Sequence, residues 1–142
     1  MQNAEQEFKF ELNCKAEEIT AALSKVIKII RQEINESEEL EFKFELAARE
    51  ILANAIEHGC FLAQNKRGNP EKLKIKTRLK ISSETVIYSV KDPGPGFDWE
   101  NYDLKTMPKF DEKGRGLKMI NKVTDQMEFN QDGNKITISF QR

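Results

Sequence analysis

A membrane-spanning helix needs about 20 consecutive apolar residues, and no run in this 142-residue chain approaches that length. The first residues, Met1-Gln2-Asn3-Ala4-Glu5, lack the apolar centre of a secretory leader, so the expected compartment is the cytoplasm. Cysteine is scarce. Cys14 and Cys60 are the only two, too few for a disulfide framework and, with His58 the single histidine, too few for a structural zinc site. Both are expected to be reduced thiols. No sign of charge dominates: 23 basic and 24 acidic side chains leave a net charge of −1, so no global field draws the chain to nucleic acid or to an anionic membrane. Repeats, linkers and low-complexity tracts are missing too. What remains, 33% charged and 38% hydrophobic residues, is the composition of a globular protein, read as one domain over residues 1–142.

Hydrophobic periodicity divides the chain. Phe8, Phe10 and Leu12 alternate with polar residues as in a half-buried strand. From Ala16, Ile19, Leu23, Val26, Ile27, Ile30 and Ile34 recur at helical spacing. Ser37 with Glu38 and Glu39 reads as the cap and acidic first turn of a second helix, which continues through Phe42, Leu46, Ala47, Ile51 and Ala55 to His58-Gly59 or a few residues beyond. Residues 65–70 are a loop by turn chemistry. Leu73, Ile75, Thr77, Leu79 and Ile81 then alternate with Lys72, Lys74, Lys76, Arg78 and Lys80, a strand with one face in a core and a basic ladder in water. Val86, Ile87, Tyr88 and Val90 form its antiparallel partner. A short helix follows at Leu117, Met119, Ile120 and Val123. A hairpin closes the chain, with Met127 and Phe129 on one arm, Ile136, Ile138 and Phe140 on the other, and Asp132-Gly133-Asn134 between. The order predicts an α+β two-layer sandwich, helices on one face of a mixed, mostly antiparallel sheet.

Three segments carry chemistry. In Glu50-Ile51-Leu52-Ala53-Asn54 a carboxylate and a carboxamide lie four apart on one helix face, suited to activating a hydroxyl and to ligating a hard cation through oxygen. The plain reading is a solvated helix face. Asp92-Pro93-Gly94-Pro95-Gly96-Phe97 follows a strand. Its glycines let a flat ligand approach the main chain, and Asp92 is placed to accept from an exocyclic amine; the plain reading is a tight turn. Lys113-Gly114-Arg115-Gly116-Leu117 presents glycine-rich backbone at a helix start, favourable for phosphate, yet it matches neither a P-loop nor a dinucleotide fingerprint. Each segment alone is more readily structural; their order and spacing together are far more specific.

Together, Glu50-x-x-x-Asn54, Asp92-x-Gly94-x-Gly96 and Gly114-x-Gly116-Leu117 resemble the N, G1 and G2 boxes of the GHKL ATPase superfamily, and the element order resembles its Bergerat fold. Asn54-Ala55-Ile56-Glu57-His58-Gly59 and the short lid resemble the anti-sigma-factor serine/threonine kinase branch, the RsbW type. The resemblance implies ATP and Mg²⁺ as ligands. It implies Asp92 receiving the adenine amine and Gly94 and Gly96 shaping the base pocket. Asn54 would hold the metal, Gly114, Arg115, Gly116 and Leu117 would cradle phosphate, and Glu50 would act as general base. It further implies a small antagonist protein bearing a phosphorylatable serine as partner, with a sigma factor as a second. Glu57, where related kinases often carry a basic residue, receives no role, and Lys109, Lys113 and Arg115 compete for the part of lid cation.

His58, on the nucleotide helix itself, does not fit an autophosphorylating histidine and reads as a rim residue. The basic ladder lacks interleaved aromatics and reads as a solvated face, with no nucleic acid or membrane expected. Phe97 and Trp99 are lid anchors or partner contacts, and a homodimer is plausible from the amphipathic first helix and the sheet edges. The leading expectation is an ATP-dependent protein serine/threonine kinase acting in partner switching. The alternative is a non-catalytic module that uses nucleotide to sequester a regulatory partner.

Overall fold

The computed structural model describes residues 5–34, 37–61, 63, 73–97, 99 and 112–142, the backbone alone for 112–115. Strand β1 (Gln6–Asn13) leads into helices α1 (Ala16–Glu33) and α2 (Glu38–Asn54), the second running on into a π-helical turn at Ala55–Cys60. Strands β2 (Lys74–Ile81) and β3 (Thr85–Lys91), helix α3 (Glu112–Val123) and the hairpin β4 (Gln126–Phe129) and β5 (Lys135–Gln141) complete the fold. Local chemistry sets the helix starts. Ser37 Oγ caps α2 by accepting from the Leu40 N–H at 3.1 Å, ahead of Glu38, Glu39 and Glu41 in the first turn. Glu18 in the first turn of α1 accepts from the Asn13 backbone and side-chain N–H groups, both at 2.8 Å, and these bonds hold its carboxyl below the usual range.

The strand order is β1-β2-β3-β5-β4, and every pairing is antiparallel. The α+β two-layer sandwich is as expected; its sheet, expected to be mixed and mostly antiparallel, is antiparallel in every pairing among the described residues. The sequence places a helix between β3 and β4, which suggests a parallel crossover. β4 does run in the direction of β3, but β5 is inserted between them and pairs antiparallel with both. The helices cover one face. Phe44 of α2 meets Tyr88 of β3 (ring centroids 5.5 Å) and Phe140 of β5 (5.8 Å) at the centre of the core, with all three side chains fully buried. The opposite face carries the alternate, polar residues of the strands, as the period-two pattern predicts.

Two further expectations change. The helix read from Leu117 begins a turn earlier, at Glu112, because glycine costs little at a helix start, where the amides have no intrahelical acceptor. Cys14 and Cys60 are not reduced thiols but a disulfide, with Cα atoms 5.9 Å apart, inside the range a disulfide spans. Counting cysteines gives no access to this; only the packing of the π-helical turn against the end of β1 brings them together. A cross-link over 46 residues contributes about 4 kcal/mol through loss of unfolded-state entropy. Replacing both cysteines with serine is expected to lower the denaturation free energy by that order, measured by urea unfolding under non-reducing conditions. An unchanged unfolding curve would contradict it.

Candidate functional site

Helix α2 delivers Glu50 and Asn54, both half-buried, on one face. The π-helical turn then carries His58 and Gly59 along the same wall, and such turns recur where a helix serves a site. Opposite them stands the end of β3, with Asp92, Gly96 and Phe97. Between the two walls lies a crevice of about 500 Å³, counting its open mouth, floored by Ile51, Val90, Leu117 and Ile136.

Close approaches pack the elements around the crevice. Gly59 lies against Asp92: a Cβ on Gly59 would fall 2.1 Å from the Asp92 carboxyl carbon. A Cβ on Gly94 would fall 2.7 Å from the Gly59 carbonyl oxygen. Between α2 and α3 a Cβ on Gly116 would lie 2.9 Å from Glu50 Oε2 and 3.7 Å from Asn54 Nδ2. The crevice lining thus brings together Asn54, Asp92, Gly96 and Leu117; Gly94 packs against Gly59 and Asp92, and Glu50 and Gly116 lie against each other near Asn54, outside that lining. Gly114 lies in the first turn of α3; the side chains of Lys113 and Arg115, and all of Lys109, fall outside the described residues, so the choice of lid cation does too. Glu57 is exposed and does not line the crevice.

The loop at Asp92 is held by the β4–β5 turn. The Asp92 N–H donates to the Asn134 carbonyl (2.9 Å), the Gly94 N–H to Asp92 Oδ1 (2.7 Å), and Asn134 Nδ2 to the Gly94 carbonyl (3.1 Å). The turn is itself organised by Asn130, whose Oδ1 accepts from the Gly133, Asn134 and Lys135 N–H groups at 2.9, 3.0 and 3.1 Å, while its Nδ2 donates to Asn134 Oδ1 at 2.7 Å. Gly96, at φ 84°, passes so near Asp132 that a Cβ would fall 1.7 Å from its carbonyl oxygen, a position that only glycine fills. Sequence reading missed Asn130 and Asn134. The available signal was an Asn at each end of a Gly-containing turn, a pattern suited to side-chain-to-backbone bonding. Phe97 and Trp99 act as anchors: Phe129 packs edge-on to Phe97 (5.2 Å) and stacks with Trp99 (5.8 Å), and Trp99 Nε1 donates to the Gln131 carbonyl at 3.4 Å.

Residues 12–140 match the family profile described as a histidine kinase-like ATPase domain. The chain belongs to that family. Histidine kinase-like ATPase domains bind ATP, generally with Mg²⁺, so a kinase or ATPase character follows at that coarse level. Among solved structures, the nucleotide-free catalytic domain of histidine kinase ThkA is similar, with a TM-score of 0.53 and 18% identity over 94% of this chain and 97% of that one; at this identity the likeness concerns the fold. No curated protein matches the sequence significantly.

For this histidine kinase-like ATPase domain, Gly59→Ala is expected to push Asp92 out of place. The overpacking should lower stability by about 1–3 kcal/mol and weaken ATP binding, measured by thermal unfolding and calorimetric titration. Wild-type affinity in the variant would contradict the close packing of the two walls.

Proposed function

We propose that the chain is an ATP-dependent protein serine/threonine kinase of the anti-sigma type, which phosphorylates a small antagonist protein on serine and holds a sigma factor in its other state. The observation that carries this reading is the position of Glu50. Its carboxylate lies against Gly116 and one helical turn from Asn54, which lines the same crevice as Asp92; in this reading a nucleotide with its base against Asp92 would direct its phosphates past Asn54 toward a general base. A domain that only binds nucleotide has no need of a carboxylate there.

In this reading Asp92 accepts from the adenine amine, Gly94 and Gly96 admit the ring, and the start of α3 from Gly114 through Arg115, Gly116 and Leu117 faces the phosphates. Its free amides and positive dipole end lie one turn earlier than the sequence suggests. The donor set at Asn54 fits Mg²⁺. Mg²⁺ takes hard oxygen donors and draws most of its ligands from phosphate and water, so one carboxamide oxygen is a suitable protein ligand. When bound, the ion neutralises phosphate charge. The serine oxygen attacks the γ-phosphorus, Glu50 takes the hydroxyl proton, and the bond to the β–γ bridging oxygen breaks with its electrons going to ADP. The products are phosphoserine and ADP. Positioning provides most of the acceleration.

Glu50→Gln is expected to lower transfer from labelled ATP to a serine-bearing antagonist by about 10²–10⁴-fold while leaving ATP affinity close to wild type. Transfer at the wild-type rate would remove Glu50 from the role of base. No transfer by the wild-type protein to any candidate antagonist, with ATP binding intact, would favour a nucleotide-dependent sequestering module.

A further inference from the structure

The sheet face turned away from the helices holds a second concavity, of about 960 Å³ counting its mouth. The basic residues of this face fall into two groups. The cations toward the far ends of β1 and β2 are matched: Arg78 bonds Glu7 at 2.7 Å, Lys9 pairs with Glu7 at 3.3 Å, Lys80 pairs with Glu5 at 3.3 Å, and Lys74 bonds the Asn13 side chain. Lys76, Lys91 and Lys135 are different. They are direct cross-strand neighbours, Lys76 opposite Lys91 and Lys91 opposite Lys135. They form an unbroken row of three ammonium groups across β2, β3 and β5. Strands lie about 4.8 Å apart, so the row spans about 10 Å.

Like charges directly opposite in a sheet are destabilising, and neutral side chains would serve the fold better. None of the three makes an ion pair among the described residues, not even Lys76 with its other neighbour Glu11, the one carboxylate lining the concavity. A second observation points the same way. Arg78 lines the same concavity, and its Nε is buried with no hydrogen-bond partner among the described residues. Ser89, only 8% exposed, lies at the floor beside it. The site therefore combines unmatched positive charge with an unsatisfied donor, on a face that no helix covers among the described residues.

We propose that this concavity is a docking site for an acidic segment of a partner protein, whose carboxylates are received by Lys76, Lys91 and Lys135, beside the unsatisfied Nε of Arg78. Charge complementarity selects the class of occupant. A single-stranded nucleic acid would require aromatic platforms; the outward residues of β1, β2, β3 and β5 include none, and Phe10, which borders the concavity, has its ring engaged by Lys25 of α1 at 5.7 Å. Carboxylates on a helix recur about 5–6 Å apart at i, i+3 and i+4, a spacing the flexible lysines match. The site is separate from the nucleotide crevice except at Lys135, which borders both, and it does not depend on the kinase reading.

The test is fluorescence anisotropy with a labelled decaglutamate peptide on the full chain. Lys76→Gln/Lys91→Gln is the diagnostic variant, since neither residue borders the nucleotide crevice. Lys28→Gln/Lys122→Gln on the helices is the control. Saturable binding is expected, weakened at least about tenfold by the diagnostic pair and unchanged by the control, with affinity falling as salt rises from about 50 to 200 mM. Lys91→Gln alone should keep or raise the thermal midpoint, because it removes two repulsions. Failure of the peptide to bind at millimolar concentration would overturn the proposal. So would equal loss in the control, or tighter binding of a single-stranded oligonucleotide to the same concavity.

Discussion

The contact between Gly59 and Asp92 is the constraint on which the rest of the site depends. A helix and a strand end approach until there is no space for one methyl group between them, and the crevice exists because its walls are fixed at that distance. Each neighbouring feature keeps the contact in place. The next residue, Cys60, is bonded to Cys14 at the end of β1, so the turn carrying Gly59 is anchored covalently to the sheet side of the molecule. From the other direction the Asp92 loop is hydrogen-bonded to Asn134, and Asn134 is held by Asn130. A buried helix turn, a disulfide and two asparagines thus converge on one carboxylate.

The packing of α3 on α2 is arranged by a similar exclusion with different chemistry. Gly116 lets α3 lie against Glu50 and Asn54 without a side chain between them. One helix, α2, therefore serves both contacts: its last regular turn faces α3, and the π-helical turn that extends it faces β3. The change of helical hydrogen bonding at Ala55 coincides with this change of neighbour. Under the proposed kinase reading function would separate along the same line, with recognition of a base at the Asp92 wall and chemistry at the phosphates beside Glu50.

Much of this was legible in the residues. Alternating Leu73–Ile81 against Lys74–Lys80 gave both the strand and its core face, and Ser37 gave the start of α2, because period and cap chemistry are local. The three polar motifs were legible as a set, for the reason that their residue types are individually weak and jointly restrictive. What escaped was non-local. The disulfide depends on a π-helical turn meeting a strand 46 residues away, and cysteine counting has no access to that distance. The antiparallel sheet depends on β5 entering between β3 and β4, which no connection length states. Asn130 acts only through the turn it closes, and the row Lys76–Lys91–Lys135 exists only in the register of three strands. The lysines of β2 taken alone looked like an ordinary solvated ladder.

The central claim is that the Asp92 wall reads an amino-bearing purine. Calorimetric titration with ATP and with inosine triphosphate, which carries a carbonyl where ATP carries the amine, tests it most directly. The Asp92 carboxylate would accept from the first and repel the second, so ATP should bind at least about tenfold more tightly. Equal affinity for the two nucleotides would contradict the account.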